Sequence, residues 1–403
     1  MWHGSLVALV AGVDSSTQSV KVVVRDADTG TWIREGRAPH PDGTEVDPEA
    51  WWSALAVACA DGLLDDVSAI SVAGQQHGMV ALDESNRAVR PALLWNDTRS
   101  APDADDLVAE WGGPGAWAEA VGSVPLAAFT VSKVRWMARC EPRMAKKTSR
   151  VMLPHDFLTW RLRDSPAEAT TDRGDASGTG YWSPRQEEYR NDLVVMALGH
   201  EVRLPRVASP SEQVGELGAR ARAHLGIRTK NPVVIAPGTG DNMGAALSLG
   251  IGAGDTVVSL GTSGTAFAGS DRATEDSSGL VAGFADASGA FLPLVCTLNA
   301  ARVLTTTADL LGVDIDAFAA LALSAQPGSG GLTLLPYLDG ERTPNLPDAR
   351  GSLQGITRDN LTPANIARSA VEGMLGGLAD AIDALVDVGV TPRRVLVVGG
   401  ASH

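Results

Sequence analysis

Two short turns rich in hydroxyl groups, at residues 14–18 and 261–264, each lie between two apolar runs of the sequence. Backbone N–H groups and Ser or Thr hydroxyls in such turns bind phosphate oxygens. Two of them in one chain predict a protein that holds a polyphosphate from two sides. Since a short turn of this composition is more often only a turn, the functional interpretation depends on the duplication.

A glycine-rich segment at residues 237–244 places Asp241 after a predicted strand, where a helix begins. Glycine permits backbone conformations that other residues avoid, so the Asp241 carboxylate can be directed at a ligand from a sharp turn. Two roles are open for it: a helix N-cap, or a general base. With an ordinary pKa of ~3.9 it would be ionised at neutral pH and would need only correct placement.

Two further segments carry the side chains that polyol binding requires. Residues 73–78 end a predicted strand with Gln76 and His77, whose amide and imidazole groups donate and accept hydrogen bonds. Residues 95–99 add the ring of Trp95 for an apolar sugar face. A histidine after a strand often has only a structural role, and Asp97 and Arg99 in the second segment can simply form an ion pair. It is the joint occurrence of these groups that favours a sugar pocket.

The elements that must position these residues follow from the apolar pattern. We expect two hairpins, at residues 6–24 and 256–267, and a third strand at residues 31–37. A helix begins after Asp47, and a strand at residues 67–73 completes a mixed α/β layer.

Further along, the pattern predicts a helix at 126–140, a loop or short hairpin at 170–178 and a strand at 233–236. A long helix capped by Thr362 ends at Gly389, and a strand at residues 395–398 leads to Gly399 and Gly400.

The length of 403 residues predicts two domains, with a boundary where a new apolar strand begins: residues 1–232 and 233–403. The net charge of -15 argues against a general nucleic-acid or anionic-membrane surface. No apolar run approaches the roughly 18 residues of a membrane span. We expect the start of the chain to be a core strand, since it lacks the basic region and cleavage site of a leader.

The cysteines and the absence of several known motifs narrow the range of possible functions further. Cys59, Cys140 and Cys296 are odd in number and widely spaced, which fits a reducing cytoplasm and does not fit a zinc site. The sequence contains no P-loop, no dinucleotide-binding glycine motif and no nucleophile elbow. Phosphoryl transfer is still an open function, provided that a structure other than a P-loop binds the phosphates.

Taken in order, these segments and the sequence LPYLDGERTP at residues 335–344 resemble the FGGY family of carbohydrate kinases over nearly the whole chain. The resemblance implies an α/β, two-domain, actin-like (ribonuclease H-like) ATPase fold with mixed sheets and an interdomain cleft. Residues 335–344 and the Gln76-His77 pair are most similar to members that phosphorylate D-xylulose. Ribulose, gluconate and glycerol stay open as alternative substrates.

The resemblance also implies roles for individual residues. Asp241 would be the base that takes the proton from the sugar's terminal hydroxyl, and Asp14 would act near Mg²⁺ and the transferring phosphoryl group. The ketose would be held by Gln76, His77, Trp95 and Asn242. ATP would be contacted by Ser16, Thr17, Lys21, Gly261, Thr262, Ser263, Gly399 and Gly400.

By the same resemblance, residues 1–232 would bind sugar and residues 233–403 nucleotide. Family members continue past the Gly399-Gly400 turn, so we expect the second domain to be incomplete at its C-terminal end. The expected partners are a ketose and ATP in the cytoplasm, and a homodimer stays open. Two rivals remain: an actin-like nucleotide switch, which would have no need of the sugar-binding cluster, and a sugar-binding protein without catalysis.

Overall fold

The computed structural model describes residues 8–344, 346 and 348–402. Two compact units divide the chain: Met1–Gly250 with Phe284–Ala290, and Ile251–Gly283 with Phe291–His403. The boundary expected after residue 232 is therefore placed too early. The strand Val234–Ile235 pairs with Val67–Gly74, so this segment belongs to the sheet of the first unit.

A mixed sheet forms the centre of the first unit. From one edge its hydrogen-bonded strands are Gly215–Glu216, Val234–Ile235, Val67–Gly74, Leu9–Ser15, Ser19–Asp26 and Trp32–Pro39, with Thr239–Gly240 also paired to Val67–Gly74. Leu9–Ser15 runs antiparallel to Ser19–Asp26 and parallel to Val67–Gly74. The expected hairpin, third strand and parallel strand are confirmed, although Leu6 and Val7 of the first predicted strand lie outside the described residues.

Buried side chains alternate along the strand Ser19–Asp26, and this pattern identifies the face of the sheet that packs on the core. Val20, Val22 and Val24 are fully buried on one face, as period-2 geometry requires of a strand packed on a core. The helix Pro48–Ala58 covers this face with Trp51 and Leu55. Its start is set by Asp47, whose carboxylate accepts the backbone N–H of Glu49, as the sequence predicted.

The remaining elements of the first unit are short. Its other paired strands are Glu45–Val46 with Ala92–Leu93, Val80–Leu82 with Arg150–Met152, Thr170–Thr171 with Arg206–Val207, and Trp182–Ser183 with Glu188–Tyr189. Its other helices are Ala101–Glu110, Pro114–Val121, Thr130–Cys140, Pro142–Lys147, Pro154–Leu162, Arg173–Ser177, Asn191–Leu198, Ala219–His224 and Asp241–Leu249, and Ala60–Gly62 is a 3₁₀ turn.

Two of these helices correct the sequence-based expectations. The helix predicted at residues 126–140 begins only at Thr130. The segment predicted as a loop or hairpin at residues 170–178 instead contains the helix Arg173–Ser177. Asp172 caps it by accepting the backbone N–H groups of Gly174 and Asp175, so turn-forming residues here begin a helix.

The sheet of the second unit repeats the strand order of the first. Its strands run Ala282–Ala285, Phe291–Thr297, Gly264–Ala268, Asp255–Leu260, Arg394–Val398. As in the first unit, a strand pairs antiparallel with its successor and parallel with a later strand, here Asp255–Leu260 with Gly264–Ala268 and Arg394–Val398. The duplicated hairpin predicted from the two turns is confirmed.

Three helices and a short strand pair accompany this sheet in the described residues: Ala301–Leu311, Ile315–Ser324 and Pro363–Asp387, and Thr333–Leu335 with Ser352–Gln354. Ser329–Gly331 and Gly400–Ser402 are 3₁₀ turns. Thr362 caps the long helix by accepting the backbone N–H of Asn365, as predicted. No helix that the structure describes has the length and apolarity to cross a membrane.

Candidate active site

Three parallel strands of the first sheet end together, and this brings the predicted residues to one edge. Ser15 is in register with Gly74, and Gly74 with Gly240. The carboxyl ends of parallel strands meet at the same edge of a sheet, where ligands of open α/β sheets bind. Asp14 therefore lies near the residues that follow Gly74 and near Asp241, which follows Gly240.

The first hydroxyl-rich turn is organised by side chains. Asp14 is exposed, and its carboxylate accepts a hydrogen bond of 2.5 Å from the Ser16 hydroxyl. The indole N–H of the half-buried Trp95 donates to the Thr17 hydroxyl at 2.9 Å. Because this N–H is used within the protein, it is not available as a hydrogen-bond donor to a ligand. The bond also connects two segments predicted for different ligands.

His40 holds this turn in place through hydrogen bonds to its backbone. The sequence did not indicate this role. Its ring Nδ1 lies 2.9 Å from the Ser16 carbonyl, and its backbone N–H donates to the Gln18 carbonyl at 2.9 Å. Burial lowers the pKa of His40, so the ring is neutral and Nδ1–H is the donor to the carbonyl. This contact joins residues that are far apart in the sequence, so no local sequence pattern predicts it.

Lys21, predicted to contact ATP, lies on the strand Ser19–Asp26, which follows the first turn. Its Cα is opposite that of Asp14 in the hairpin. Its ammonium group forms a 2.9 Å ion pair with Glu35 and lies 4.6 Å from the ring centroid of Trp32. The charge is thus already engaged on the sheet surface.

Gln76 and Asn242 form the polar pair of the site. Asn242 Nδ2 donates to Gln76 Oε1 at 2.9 Å, which joins the loop after Val67–Gly74 to the helix Asp241–Leu249. Gln76 is 4% exposed, and its Nε2 has no acceptor among the described residues. A buried amide donor costs free energy unless it is paired, so this group suits a ligand hydroxyl.

His77 is held in one orientation by its surroundings. Its backbone has φ of 66°, which turns the loop sharply after the strand. Nδ1 lies 2.7 Å from the Gly178 carbonyl, and the ring stacks on Phe129 with centroids 5.0 Å apart. Because a carbonyl only accepts, Nδ1 carries the proton, and in the neutral ring Nε2 is then the acceptor.

Asp241 is the first residue of its helix, and Gly240 takes the N-cap position. Of the two roles left open, the N-cap is therefore wrong. The carboxylate accepts the Asn242 backbone N–H at 2.8 Å. Burial, and then the negative charge of Asp14, raise the pKa of Asp241 to about 7, which corrects the expected ordinary value.

A buried cluster of charged side chains supports the strand Thr239–Gly240, which precedes Asp241. His155 is fully buried, and its Nδ1 lies 2.7 Å from the carboxylate of Asp175. Asp172 accepts the Thr239 hydroxyl at 2.9 Å, which fixes the residue before Gly240.

Burial lowers the pKa of His155, but the neighbouring carboxylates of Asp156, Asp175 and Asp172 outweigh it and raise the pKa to about 9. The sequence alone indicates no role for this cluster.

The second unit places its two glycine turns at one edge of its own sheet. Ser259 is in register with Val398 on parallel strands, so the turns that follow them are neighbours. A Cβ on Gly399 would lie 2.6 Å from the Leu260 carbonyl oxygen, and Gly399 has φ of 101°. Only glycine allows this close approach to the residue before Gly261.

The described residues hold no group of three or more His, Cys, Asp or Glu side chains arranged to bind a metal ion.

Asp97 and Arg99, which follow Trp95, form an ion pair with each other. The Arg99 guanidinium Nε lies 2.8 Å from the Asp97 carboxylate, which also accepts the Thr44 hydroxyl at 2.7 Å. These residues hold the loop that carries Trp95.

Two sheets of the same strand order, each with hydroxyl- or glycine-rich turns at its parallel strand ends, define an α/β protein of the actin-like ATPase fold class, as expected. Residues 9–248 match the FGGY family of carbohydrate kinases, N-terminal domain, and residues 256–403 match the C-terminal domain of that family. The chain belongs to the FGGY family of carbohydrate kinases.

Individual similar proteins support this family assignment. The chain is 46% identical to a xylulose kinase of Streptomyces coelicolor, covering 98% of this chain and 80% of that protein, and 45% identical to a xylulose kinase of Streptomyces rubiginosus with the same coverage. The crystal structure of xylulose kinase from Bifidobacterium adolescentis has a TM-score of 0.91 and 43% identity over 99% of this chain and 86% of that one. The family and the fold class implied by the resemblance are confirmed.

Proposed function

We propose that the chain transfers the γ-phosphoryl group of ATP to D-xylulose and so forms D-xylulose 5-phosphate and ADP. The observation that carries the proposal is the strand register that brings Asp14, Gln76 and Asp241 to one sheet edge. Relatives named xylulose kinase over almost the whole chain support the choice of sugar.

The ketose is bound by groups that suit hydroxyls. The unpartnered Nε2 of Gln76 donates to a sugar oxygen, and His77, held by Gly178 and Phe129, contacts the sugar through its imidazole. Trp95 supplies a flat apolar surface for the carbon chain. Asn242 is already bonded to Gln76, so it holds the amide in place.

Asp241 is the general base. Its carboxylate takes the proton from the terminal hydroxyl of the ketose as that oxygen forms a bond to the γ-phosphorus. The bond from this phosphorus to the oxygen shared with the β-phosphate breaks, and ADP leaves with the electron pair. A pKa near the working pH is the best compromise for a base that must be ionised and still accept a proton.

The remaining groups bind the nucleotide. Ser16 and Thr17 in the first unit, and Gly261, Thr262 and Ser263 in the second, supply hydroxyl and backbone N–H groups to phosphate oxygens. Gly399 and Gly400 give the nucleotide close access to the backbone. Lys21 must leave Glu35 before it can reach a phosphate. We assign the sugar-binding residues to the first unit and most of the nucleotide-binding residues to the second.

Mg²⁺ fits Asp14 as its protein ligand. Mg²⁺ is usually held by one or two carboxylates together with substrate phosphates, so one exposed carboxylate at a strand end suffices. When bound, the ion would neutralise charge on the phosphates. We place the reaction in the cytoplasm, where ATP is available and free thiols such as Cys59 stay reduced.

A coupled assay of ADP release with D-xylulose, D-ribulose, gluconate and glycerol tests the proposal. We expect the highest kcat/KM with D-xylulose. ADP release that is the same with and without any sugar would contradict the proposal and support a nucleotide switch. Ketose binding measured by calorimetry without ADP release would instead support a sugar-binding protein.

A further inference from the structure

Glu341 lies in residues 335–344, the segment that the sequence analysis singled out without a role. It is 3% exposed. One carboxylate oxygen accepts the backbone N–H groups of Leu298 at 2.6 Å and Arg342 at 2.8 Å, and the other accepts Asn299 Nδ2 at 2.9 Å. A buried acid surrounded by these donors acts as an anchor for the backbone around it.

Asn299 extends this anchor to the rest of the loop. Its Nδ2 also donates to the Gly340 carbonyl at 2.7 Å, and its Oδ1 accepts the Leu338 backbone N–H at 3.2 Å. The Thr343 hydroxyl donates to the Cys296 carbonyl at 2.8 Å. Residues 335–344 are therefore fastened to the end of the strand Phe291–Thr297 and to the residues that follow it.

The fastened residues in turn support the Gly261 turn. The backbone N–H of Ala301 donates to the Gly261 carbonyl at 3.0 Å. A Cβ on Gly264 would lie 2.6 Å from the Thr297 hydroxyl oxygen and 3.3 Å from Ala300 Cβ. Residues 297–301 thus form one wall of the turn, and a shift of this wall would move the turn.

We propose that Glu341 is a positioning residue for ATP, which acts through residues 297–301 to hold Gly261, Thr262 and Ser263 in place for the phosphates. The inference rests on the proposed function of this turn in phosphate binding. Residues 298–300 connect a strand to a helix, and in this segment the Glu341 carboxylate accepts the Leu298 backbone N–H, which has no sheet or helix partner, and the Asn299 side-chain amide.

The substitution Glu341→Gln tests this because it keeps the shape and removes the charge. A glutamine has one acceptor oxygen and a donor NH₂ group, which would face an N–H group, so at least one donor in this wall stays unpaired. Glu372→Gln is the matched control. Glu372 also lies in the second unit and accepts the Gly328 backbone N–H at 3.0 Å, the Ser329 hydroxyl at 2.9 Å and Arg368 Nε at 2.7 Å, and none of these bonds reaches residues 297–301.

Two readouts on the full chain are needed. For Glu341→Gln we expect faster hydrogen exchange in peptides covering residues 261–264 and 297–301, and a KM for ATP raised about tenfold with the KM for D-xylulose unchanged. Glu372→Gln should change neither. If Glu341→Gln does not fold, Glu341→Asp keeps the charge at a shorter reach and should show a smaller change in the same direction.

Unchanged exchange in both peptides, or equal changes in the Glu341 and Glu372 variants, would overturn the inference. Failure of the proposed function would look different. The unsubstituted chain would then show no ketose-dependent ADP release, while the exchange difference between the two variants would persist.

Discussion

Gly240→Ala is a steric probe of the predicted sugar-binding residues. A Cβ at this position would lie 2.7 Å from Gln76 Cγ and 2.9 Å from Gln76 Nε2. Gly240 has φ of -67° and ψ of 152°, which alanine adopts without strain, so the backbone itself stays unperturbed. The perturbation therefore falls on the Gln76 side chain.

The magnitude follows from these distances. Carbon atoms pack at about 3.5 Å, so the Gln76 side chain must retreat by ~0.8 Å. Its bond to Asn242, now 2.9 Å, would then pass the 3.5 Å limit of a hydrogen bond. Losing this bond and the bond from Gln76 to the sugar costs about 1 kcal/mol each, which corresponds to a roughly 30-fold higher KM for D-xylulose.

Initial rates of ADP release against D-xylulose and ATP concentration measure the effect, and Gly244→Ala is the control. A Cβ on Gly244 meets Ala73 Cβ at 3.4 Å, an ordinary contact, and alanine stabilises a helix interior by about 1 kcal/mol. We expect Gly244→Ala to leave both KM values unchanged. A D-xylulose KM within threefold of the unsubstituted value for Gly240→Ala, or equal impairment of both variants, would refute the placement of Gln76.

Three further outcomes are expected. Because only the ionised base accepts a proton, kcat/KM should fall as the pH drops below the Asp241 pKa of about 7, and a flat pH profile would contradict this. Since this pKa lies above the unfolded value, ionisation destabilises the fold as pH rises. The whole pKa shift corresponds to about 4 kcal/mol in the free energy of unfolding, and we halve it because the Asp241 carboxylate is accessible to solvent. Urea unfolding should therefore show Asp241→Asn more stable by about 2 kcal/mol at pH 8 and by almost nothing near pH 4. Burial raises the pKa of Cys59 to about 12, so iodoacetamide should label the exposed Cys140 and reach Cys59 only after unfolding, as mass spectrometry would show.

Local signals predicted much of the fold. Alternating valines define the strand Ser19–Asp26, and Asp47 and Thr362 cap their helices as expected. The domain boundary was wrong because the strand Val234–Ile235 pairs with residues 69 and 70, a contact between distant parts of the chain. Such pairing leaves no local pattern.

The helix Arg173–Ser177 was missed for a different reason. Its glycine, serine and aspartate residues are typical of turns, and at five residues it has no apolar stripe. Asp172 is the signal that could have found it, because aspartate is a preferred N-cap residue and here accepts the first backbone N–H groups of the helix.

The site was predicted in parts. Sequence order and family resemblance identified Asp241, Gln76 and Asn242, and the structure brings these three together. His40 and His155 could not be found in this way. Each acts through contacts with distant residues, and a lone histidine in the sequence does not reveal whether it is buried against a carbonyl or among carboxylates.

The most direct test of Asp241 as the base is the turnover of Asp241→Asn, with its D-xylulose affinity measured alongside by calorimetry. Loss of a positioned base lowers kcat by about 10²- to 10⁴-fold, and we expect this decrease with ketose affinity changed by no more than a few-fold. Near-normal kcat in the variant would remove Asp241 from the reaction.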